Sequence, residues 1–330
     1  MSAADAVAAV MFLAVTLYAV FAGADFGTGI WDLMAGGAKK GAPMRRLIDK
    51  ALGPVWEANH VWLIFVLVLL WSGFPRPFAT IMRELAIPFW LVGLGIVLRG
   101  SGFAFRKFAP TLQAARLAGV VFAGSSLFTP FFLGTIAGAI ASGRVGAGID
   151  DEVIWLSPTS ILGGLLATGT CAFLAAVFLT QEAERSGDTE LTEYLRIRSL
   201  ISGSVTGLIS LAGIGVLASD APTLFEGLTG RGTPEIIIAA IAGSFTMVML
   251  AQGYTRRARV AAVTAVGAVM AGWGFAQYPW ILVDNVAIAE GAGHPATLTA
   301  LLVAAAIATV FVVPSLVLLF RLVDTDQLGH

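Results

Sequence analysis

Proton-exchanging side chains open a long apolar run near the start of the chain. Glu57, Asn59 and His60 begin a stretch that continues, almost entirely apolar, to Trp71. On a helix, Glu57 and His60 are three residues apart and Trp56 and His60 four apart, so each pair shares a face. Ionisable groups at membrane depth are expensive and by default mark function. This stretch is therefore the first candidate site.

A second acidic residue, Asp25, lies upstream in the pattern GADFGTG, with glycines at 23, 27 and 29. The pattern is not a dinucleotide fingerprint, because no strand precedes it and it lies inside an apolar segment. It predicts close packing of the backbone around Asp25, against a partner helix or a cofactor.

The chemistry that suits these residues is proton entry. Asp25 is near the end of one apolar segment and Glu57 near the start of the next, so the two carboxylates are expected at similar depth with His60 beside them. Each of these groups can hold and release a proton. The alternative is structural: the acids cap helices at the interface and pair with Arg45 or Arg46. Both interpretations remain open from the residues alone.

The composition indicates an all-α, polytopic membrane protein. Hydrophobic residues make up 57% of the 330 and charged residues 12%, about half the usual charged fraction of soluble domains. The mean hydropathy is +0.85. A formal net charge of −1 leaves no basic surface for nucleic acid. Cys171 is the only cysteine, which excludes an intrachain disulfide and a thiolate metal cluster.

About 20 apolar residues are needed to cross the bilayer core. Windows of that size predict nine spans in one membrane domain, residues 1–330, which could contain two four-helix bundles plus one additional helix. The eighth span is the least secure, so eight or ten spans remain open. The predicted spans are residues 6–33, 52–71, 78–97, 112–140, 160–180, 200–218, 234–252, 260–275 and 297–319.

The basic residues predict the orientation, since basic loops stay in the cytoplasm. Lysine and arginine concentrate in the first, third, fifth and seventh loops, whereas only Arg76, Arg83, Arg144 and Arg231 fall in the others. The N-terminus is therefore expected outside and the C-terminus in the cytoplasm.

Other charged residues are expected to have structural roles. Asp32, at the end of the first span, is assigned to capping or solvation. Arg83 and Glu84 are assigned to anchoring at the lipid interface. Arg99 and residues 103–107 (FAFRK) resemble a belt of side chains that reach to the membrane surface.

The histidines limit haem binding. His60, His294 and His330 are the only three, and they fall at different ends or sides of the predicted bundle. No two of them could hold one haem iron, so we expect no haem or metal in this chain alone.

Three motifs resemble subunit II of cytochrome bd-type quinol oxidases. Residues 53–63 (GPVWEANHVWL) are similar to the family's P-x-W-D-G-N-x-x-W-L run at the start of its second helix. Residues 23–29 resemble its G-x-D-x-G-x-G stretch, and residues 98–106 (LRGSGFAFR) its segment after the third helix. Residues 169–182 and 278–281 are weaker matches. The specific motifs thus cover about the first third of the chain.

The resemblance implies a haem-free subunit that pairs with a haem-bearing subunit I in a bacterial or archaeal plasma membrane. The complex would oxidise quinol and reduce O2 to water with cytoplasmic protons, using haems b and d of the partner. The resemblance gives a proton-path role to Trp56 and Glu57, with Asp25 and His60 nearby. Bound lipid or quinone and a small single-helix accessory subunit are further possible partners.

The chain departs from the family pattern at four positions. Glu57 replaces aspartate, Ala58 replaces glycine, His60 stands where glutamine or glutamate is frequent, and Ala22 stands where many members carry an acid. Two alternatives therefore stay open. One is a proton-coupled secondary transporter with Asp25, Glu57 and His60 as its coupling site, and the other is a structural scaffold without a proton role.

Overall fold

The computed structural model describes residues 2–37, 39–52, 56–148 and 153–324. Nearly all of them are helical, as predicted, with one short hairpin and a 3-10 turn at Ile154–Leu156. The helices and strands are α1 (Ala3–Met34), α2 (Ala42–Leu52), α3 (Trp56–Gly73), α4 (Pro75–Glu84), α5 (Ala86–Phe108), α6 (Leu112–Ala141), α7 (Pro158–Arg185), α8 (Thr189–Asp220), α9 (Pro222–Thr229), α10 (Thr233–Ala251), α11 (Thr255–Gln277), β1 (Trp280–Leu282), β2 (Val286–Ala287), α12 (Ile288–Gly291) and α13 (Pro295–Asp324).

The structure supports a multi-pass membrane protein. Within the described ranges, eight helices are long and apolar enough to cross a membrane: α1, α5, α6, α7, α8, α10, α11 and α13. The bent pair α3 and α4 supplies a ninth if it is counted as one span. The least secure prediction, residues 260–275, corresponds to α11, a complete helix of 23 residues.

The predicted third span, residues 78–97, was wrong in its boundaries. The chain turns by 118° between α3 and α4, so α4 is a separate short helix and the third span is α5. Phe74 leaves the helical conformation, and Pro75 then starts α4 at its first position. Proline lacks the backbone N–H and fixes φ, so it fits there and not inside a continuous helix.

Helix α1 is the centre of the packing. It contacts α3, α6, α7, α11 and α13, while α5, α6, α7 and α8 pack as successive neighbours in chain order. Helices α10 and α11 form a further antiparallel pair, and α11 also contacts α7. Residues on α1 are therefore surrounded by protein on several sides, which is where a polar group needs partners.

The predicted basic loops meet at one end of the bundle, which we call the arginine-rich end. Arg196 at the start of α8 donates to the carbonyl oxygen of Ala251 at the end of α10, at 2.9 Å. Thr255 at the start of α11 hydrogen-bonds Glu184 at the end of α7. These contacts confirm that the fifth and seventh loops lie on the same side.

The opposite end is closed by the even-numbered loops. Arg144 binds the Asp220 carboxylate with its two Nη atoms, at 3.1 and 2.6 Å. The N–H of Gly293 donates to the carbonyl oxygen of Gly73, at 2.7 Å. The start of α13 is thus fixed against the end of α3.

The first loop contains a short helix, α2, that the hydropathy pattern did not predict. Met44, Leu47 and Ile48 on α2 are buried in a cluster with Leu179 and Ala183 of α7. At 11 residues α2 is too short to span a membrane. Its charged residues lower the mean hydropathy of any window that covers it, so a hydropathy search does not detect its apolar face. It covers the bundle at the arginine-rich end.

Small residues bring α6 and α7 into backbone contact, as expected for membrane helices. A Cβ atom placed on Gly134 would overlap the carbonyl group of Gly163 and the Cα atom of Gly164. Gly124, ten residues earlier on α6, has no such neighbour within 4 Å. The two glycines provide a matched pair for a packing test.

We expect Gly134→Ala to lower the stability of the purified protein, because its methyl group meets backbone that cannot rotate away. Overpacking of this kind costs about 1–3 kcal/mol. Gly124→Ala should leave stability unchanged or slightly raised. Thermal unfolding in mild detergent measures both, and equal midpoints for the two variants would contradict the close approach of α6 and α7.

Candidate functional site

A buried ion pair joins α1 to α5. Nη2 of Arg99 lies 2.8 Å from Oδ1 of Asp25 and 2.8 Å from the main-chain oxygen of Asp25. Both side chains are about 2% exposed. A charge removed from water is tolerated only when it is paired and hydrogen-bonded, and here each charge is the partner of the other.

Two aromatic rings enclose the guanidinium of Arg99. Its Cζ lies 5.0 Å from the ring centre of Phe26 on α1 and 4.8 Å from that of Phe122 on α6. Rings at this distance attract a cation with their negative faces. Helices α1, α5 and α6 therefore meet at one arginine.

The glycines around Asp25 allow this approach. A Cβ atom on Gly27 would overlap the carbonyl of Cys171 on α7, and one on Gly29 would overlap the side chain of Ser126 on α6. The expected close packing of the backbone around Asp25 is confirmed, and its partners are helices α6 and α7.

His60 is close to the ion pair. Its ring centre lies 6.0 Å from that of Phe26 and 6.3 Å from that of Tyr18, both on α1. The adjacent residue Asn59 donates from Nδ2 to the carbonyl oxygen of Phe21, at 3.4 Å. His60 therefore packs against α1, the helix that carries Asp25, and a direct contact between Asp25 and His60 stays a prediction.

The other two predicted site residues begin α3. Trp56 and Glu57 are in its first turn, so Glu57 precedes His60 by three residues on the same helix. The side chains of Trp56 and Glu57 lie outside the described residues. Their direct contacts with Asp25 or His60 remain a prediction.

Four buried polar atoms in this region make no hydrogen bond to any described side chain or backbone group. They are Oη of Tyr18, Oδ2 of Asp25, Nδ1 of His60 and Nε of Arg99. Buried polar atoms in proteins almost always have a partner in protein or water. These four atoms are therefore available to bind water or a further polar group. We call Tyr18, Asp25, His60 and Arg99 the polar cluster.

Asp32 does not serve as a solvated cap, contrary to the expectation from sequence. Its side chain is 3% exposed, accepts from Nε of Arg45 at 2.7 Å and pairs with Arg106. Arg106 also binds Asp49 on α2, at 2.5 Å. The sequence alternative that paired an acid with Arg45 applies to Asp32, because α2 folds back over the end of α1.

The proposed surface belt around residues 99–107 was also wrong in part. Arg99 is buried rather than extended to the membrane surface, and Arg106 is mostly enclosed by its two carboxylates. Phe105, by contrast, is 70% exposed, as a belt residue would be. Arg99 and Arg106, seven residues apart, thus share the inward face of α5, whereas Phe105 lies on its outward face.

Arg83 and Glu84 have different environments. The side chain of Arg83 is 76% exposed, as an interfacial anchor would be, and it contacts Glu84 at 2.9 Å although adjacent residues usually point apart. Glu84 is largely enclosed, and its Oε2 accepts from the N–H of Gly146 at 2.7 Å. Glu84 therefore binds the loop that contains Gly146 rather than a lipid headgroup.

The described residues do not fit a bis-histidine haem site. His60 is in the first turns of α3, whereas His294 follows Gly293, which is bonded to the last residue of α3. The intervening 13 residues of helix separate the two ends by about 20 Å, too far for one iron. In the same ranges, no group of three or more His, Cys, Asp or Glu residues could hold a metal ion.

Arg99 and Tyr18 are the members of the polar cluster that sequence reasoning missed. A usable signal existed for Arg99, since it is a charged residue within α5, next to strongly apolar residues. Such residues usually face a partner inside the bundle. Tyr18 gave no signal, because tyrosine is common in membrane helices.

We expect Asp25→Asn and Arg99→Gln each to destabilise the protein strongly, since each leaves the other group without its partner. Removing one partner of a buried pair costs about 3–5 kcal/mol. The double variant should lose much less than the sum of the two single variants.

Thermal unfolding in detergent gives the comparison, with Arg116→Gln as the control because Arg116 is exposed. Additive losses in the double variant would show that the two residues do not stabilise each other.

The chain matches a known family over nearly its whole length. The family model for cytochrome bd terminal oxidase subunit II covers residues 3–323. A cytochrome bd ubiquinol oxidase subunit 2 of Bacillus subtilis is 30% identical over 48% of this chain and 47% of the relative, about half its length. A second B. subtilis protein, provisionally named cytochrome bd menaquinol oxidase subunit II, is 23% identical over 95% of this chain and 93% of the relative.

The fold is also similar to that of a chain in a solved bd oxidase structure. The solved structure of bd oxidase from Geobacillus thermodenitrificans contains a chain that superposes with a TM-score of 0.79 at 24% identity, covering 98% of both chains. The family match over residues 3–323 identifies the chain as a member of the cytochrome bd terminal oxidase subunit II family.

Proposed function

We propose that this chain is the haem-free subunit II of a bd-type quinol:O2 oxidoreductase, bound to a haem-bearing subunit I in a bacterial plasma membrane. The match to the terminal oxidase subunit family over nearly the whole chain carries this proposal. The haems of subunit I supply the electron and O2 chemistry. The contribution of this chain is support for that partner and a route for protons.

The proton route begins at the arginine-rich end, which is the cytoplasmic face in the proposed orientation. Glu57 is the first carboxylate of α3 and receives the proton there. His60 follows on the same helix, with its ring close to α1 and no hydrogen bond from its Nδ1 to any described residue. The groups along the route are thus spaced by about one helical turn.

Asp25 is the deeper acid of the route. Arg99 occupies its Oδ1 and its main-chain oxygen, which leaves Oδ2 as the atom able to accept a hydrogen bond from water or from a neighbouring acid. Arg99 thereby fixes the orientation of the carboxylate. Trp56, which precedes Glu57 at the start of α3, is assigned to the same route.

The transporter alternative receives no specific support. Coupling sites in transporters are typically built on broken helices at the midplane. The break between α3 and α4 lies at the end of α3 that is remote from His60, so it does not form part of the polar cluster. We therefore retain the oxidase subunit as the one proposed function.

We expect Glu57→Gln to lower quinol-driven O2 consumption by about tenfold or more, because positioned proton carriers contribute about 10²–10⁴-fold to rates. Glu57→Asp should retain most of the turnover, since it keeps the carboxylate. The control is Glu190→Gln, at an exposed acid near the start of α8. Oxygen-electrode rates on complexes with equal haem content make the comparison. Full turnover of an assembled Glu57→Gln complex would favour a scaffold without a proton role.

Purification of the chain from its native membrane in mild detergent tests the partnership itself. We expect a second polytopic subunit in equal amount and a reduced-minus-oxidised spectrum with haem b bands, with a red-shifted band if haem d is present. A stable, monodisperse and haem-free preparation of this chain alone would contradict the oxidase subunit and favour the transporter.

A further inference from the structure

A groove between α10 and α11 opens away from the polar cluster. It has a volume of about 790 Å³, within the range of about 300–1,000 Å³ typical of sites for small molecules. Its wall is apolar, with Ile241 and Val260 each 66% exposed on facing sides. The hydroxyl of Thr264 is bonded within its own helix, to the oxygen of Val260 at 3.0 Å, and adds no free polar group.

Two arginines stand at one end of this groove. Arg256 and Arg257 line it from the first turn of α11, at the arginine-rich end of the bundle, and both are exposed. Arg257 lies over the ring of Tyr254, with Cζ 5.1 Å from the ring centre. Arg256 has no hydrogen-bond or ion-pair partner among the described residues, and no carboxylate lines the groove.

The neighbouring cations have other roles. Arg259, two residues further along α11, faces α7: its Cζ is 4.0 Å from the ring centre of Phe178 and it donates to Gln181. Arg196 is bonded to Glu193 and to the end of α10. The positive charge of Arg256 and Arg257 is therefore directed to the groove and its mouth.

The length of the groove along α11 is close to the thickness of the hydrocarbon part of one bilayer leaflet. From Arg256 to Thr264 the helix rises by about 12 Å, and the hydrocarbon half-thickness is about 15 Å. A molecule seated here would have its polar group at the membrane surface and its apolar part along α10 and α11. Guanidinium groups bind phosphate oxygens through paired hydrogen bonds, and basic pockets at membrane helices favour anionic headgroups.

We propose that the α10–α11 groove binds an anionic phospholipid, with its phosphate on Arg256 and Arg257 and an acyl chain on the apolar wall. The site shares no residue with the proton route, because its lining belongs to α10 and α11 whereas the polar cluster belongs to α1, α3 and α5. The proposal thus stands or fails separately from the function assigned to Glu57.

Native mass spectrometry of the purified complex tests this proposal, with phosphatidylglycerol and phosphatidylcholine supplied at equal concentration. We expect retained phosphatidylglycerol, and a roughly 30-fold loss of its binding in the double variant Arg256→Gln/Arg257→Gln, the change expected for two arginines near a membrane surface. Ala242→Phe, which fills the groove while keeping both charges, should also abolish retention. Arg116→Gln, at an exposed arginine that does not line the groove, is the matched control.

Inorganic phosphate separates a lipid from a free anion. We expect it not to displace the bound lipid at equal concentration, since it has no acyl chain. Displacement by phosphate, equal retention of phosphatidylcholine, retention of a neutral quinone, or unchanged binding in the double variant would each overturn the proposal. All variants are compared at equal haem content, so that a complex that fails to assemble is not scored.

Discussion

The structure depends on one buried charge, the guanidinium of Arg99. A charge inside a helical bundle needs an opposite charge, and Asp25 supplies it from a helix 74 residues away in sequence. Phe26 and Phe122 then close the two faces of the guanidinium, so a shift of α5 along α1 would separate several favourable contacts at once. The pair therefore fixes the relative depth of α1, α5 and α6 in a medium where apolar packing alone gives little positional preference.

That constraint also shapes the candidate site. Arg99 binds only one side of the Asp25 carboxylate, and the other oxygen is left toward the neighbouring polar atoms of the cluster. Glycines at 27 and 29 bring α6 and α7 close to α1, which closes the site on those sides. The polar cluster thus lies at the side of α1 that faces α3 and α5, while glycines pack α1 closely against α6 and α7. A proton route and a structural ion pair are compatible here because they use different oxygens of one residue.

The spans could be predicted from sequence because hydropathy is a local property. The same locality explains the errors. The Asp25–Arg99 pair joins distant segments. The apolar residues before Arg99 indicate that it is placed within a span, but its partner, 74 residues away, cannot be identified from neighbouring sequence. Helices α2 and α4 were not predicted, because each is short and rich in charged residues or proline. Asp32 was assigned to capping or solvation for a related reason: its partners on α2 and α5 become neighbours only when α2 folds back over α1.

The ion pairs of Asp25 and Asp32 on α1 bear on where protons could enter. Asp32 lies seven residues beyond Asp25, about 10 Å nearer the arginine-rich end, and its carboxylate is held by Arg45 and Arg106. Both oxygens are thus engaged, and the cations beside them would repel an incoming proton. Entry along α1 is therefore obstructed. The start of α3 offers the other approach, because Glu57 stands there one turn from His60, and His60 contacts α1 between Tyr18 and Phe26. In the proposed function the route therefore runs along α3, from Glu57 to His60, rather than along α1.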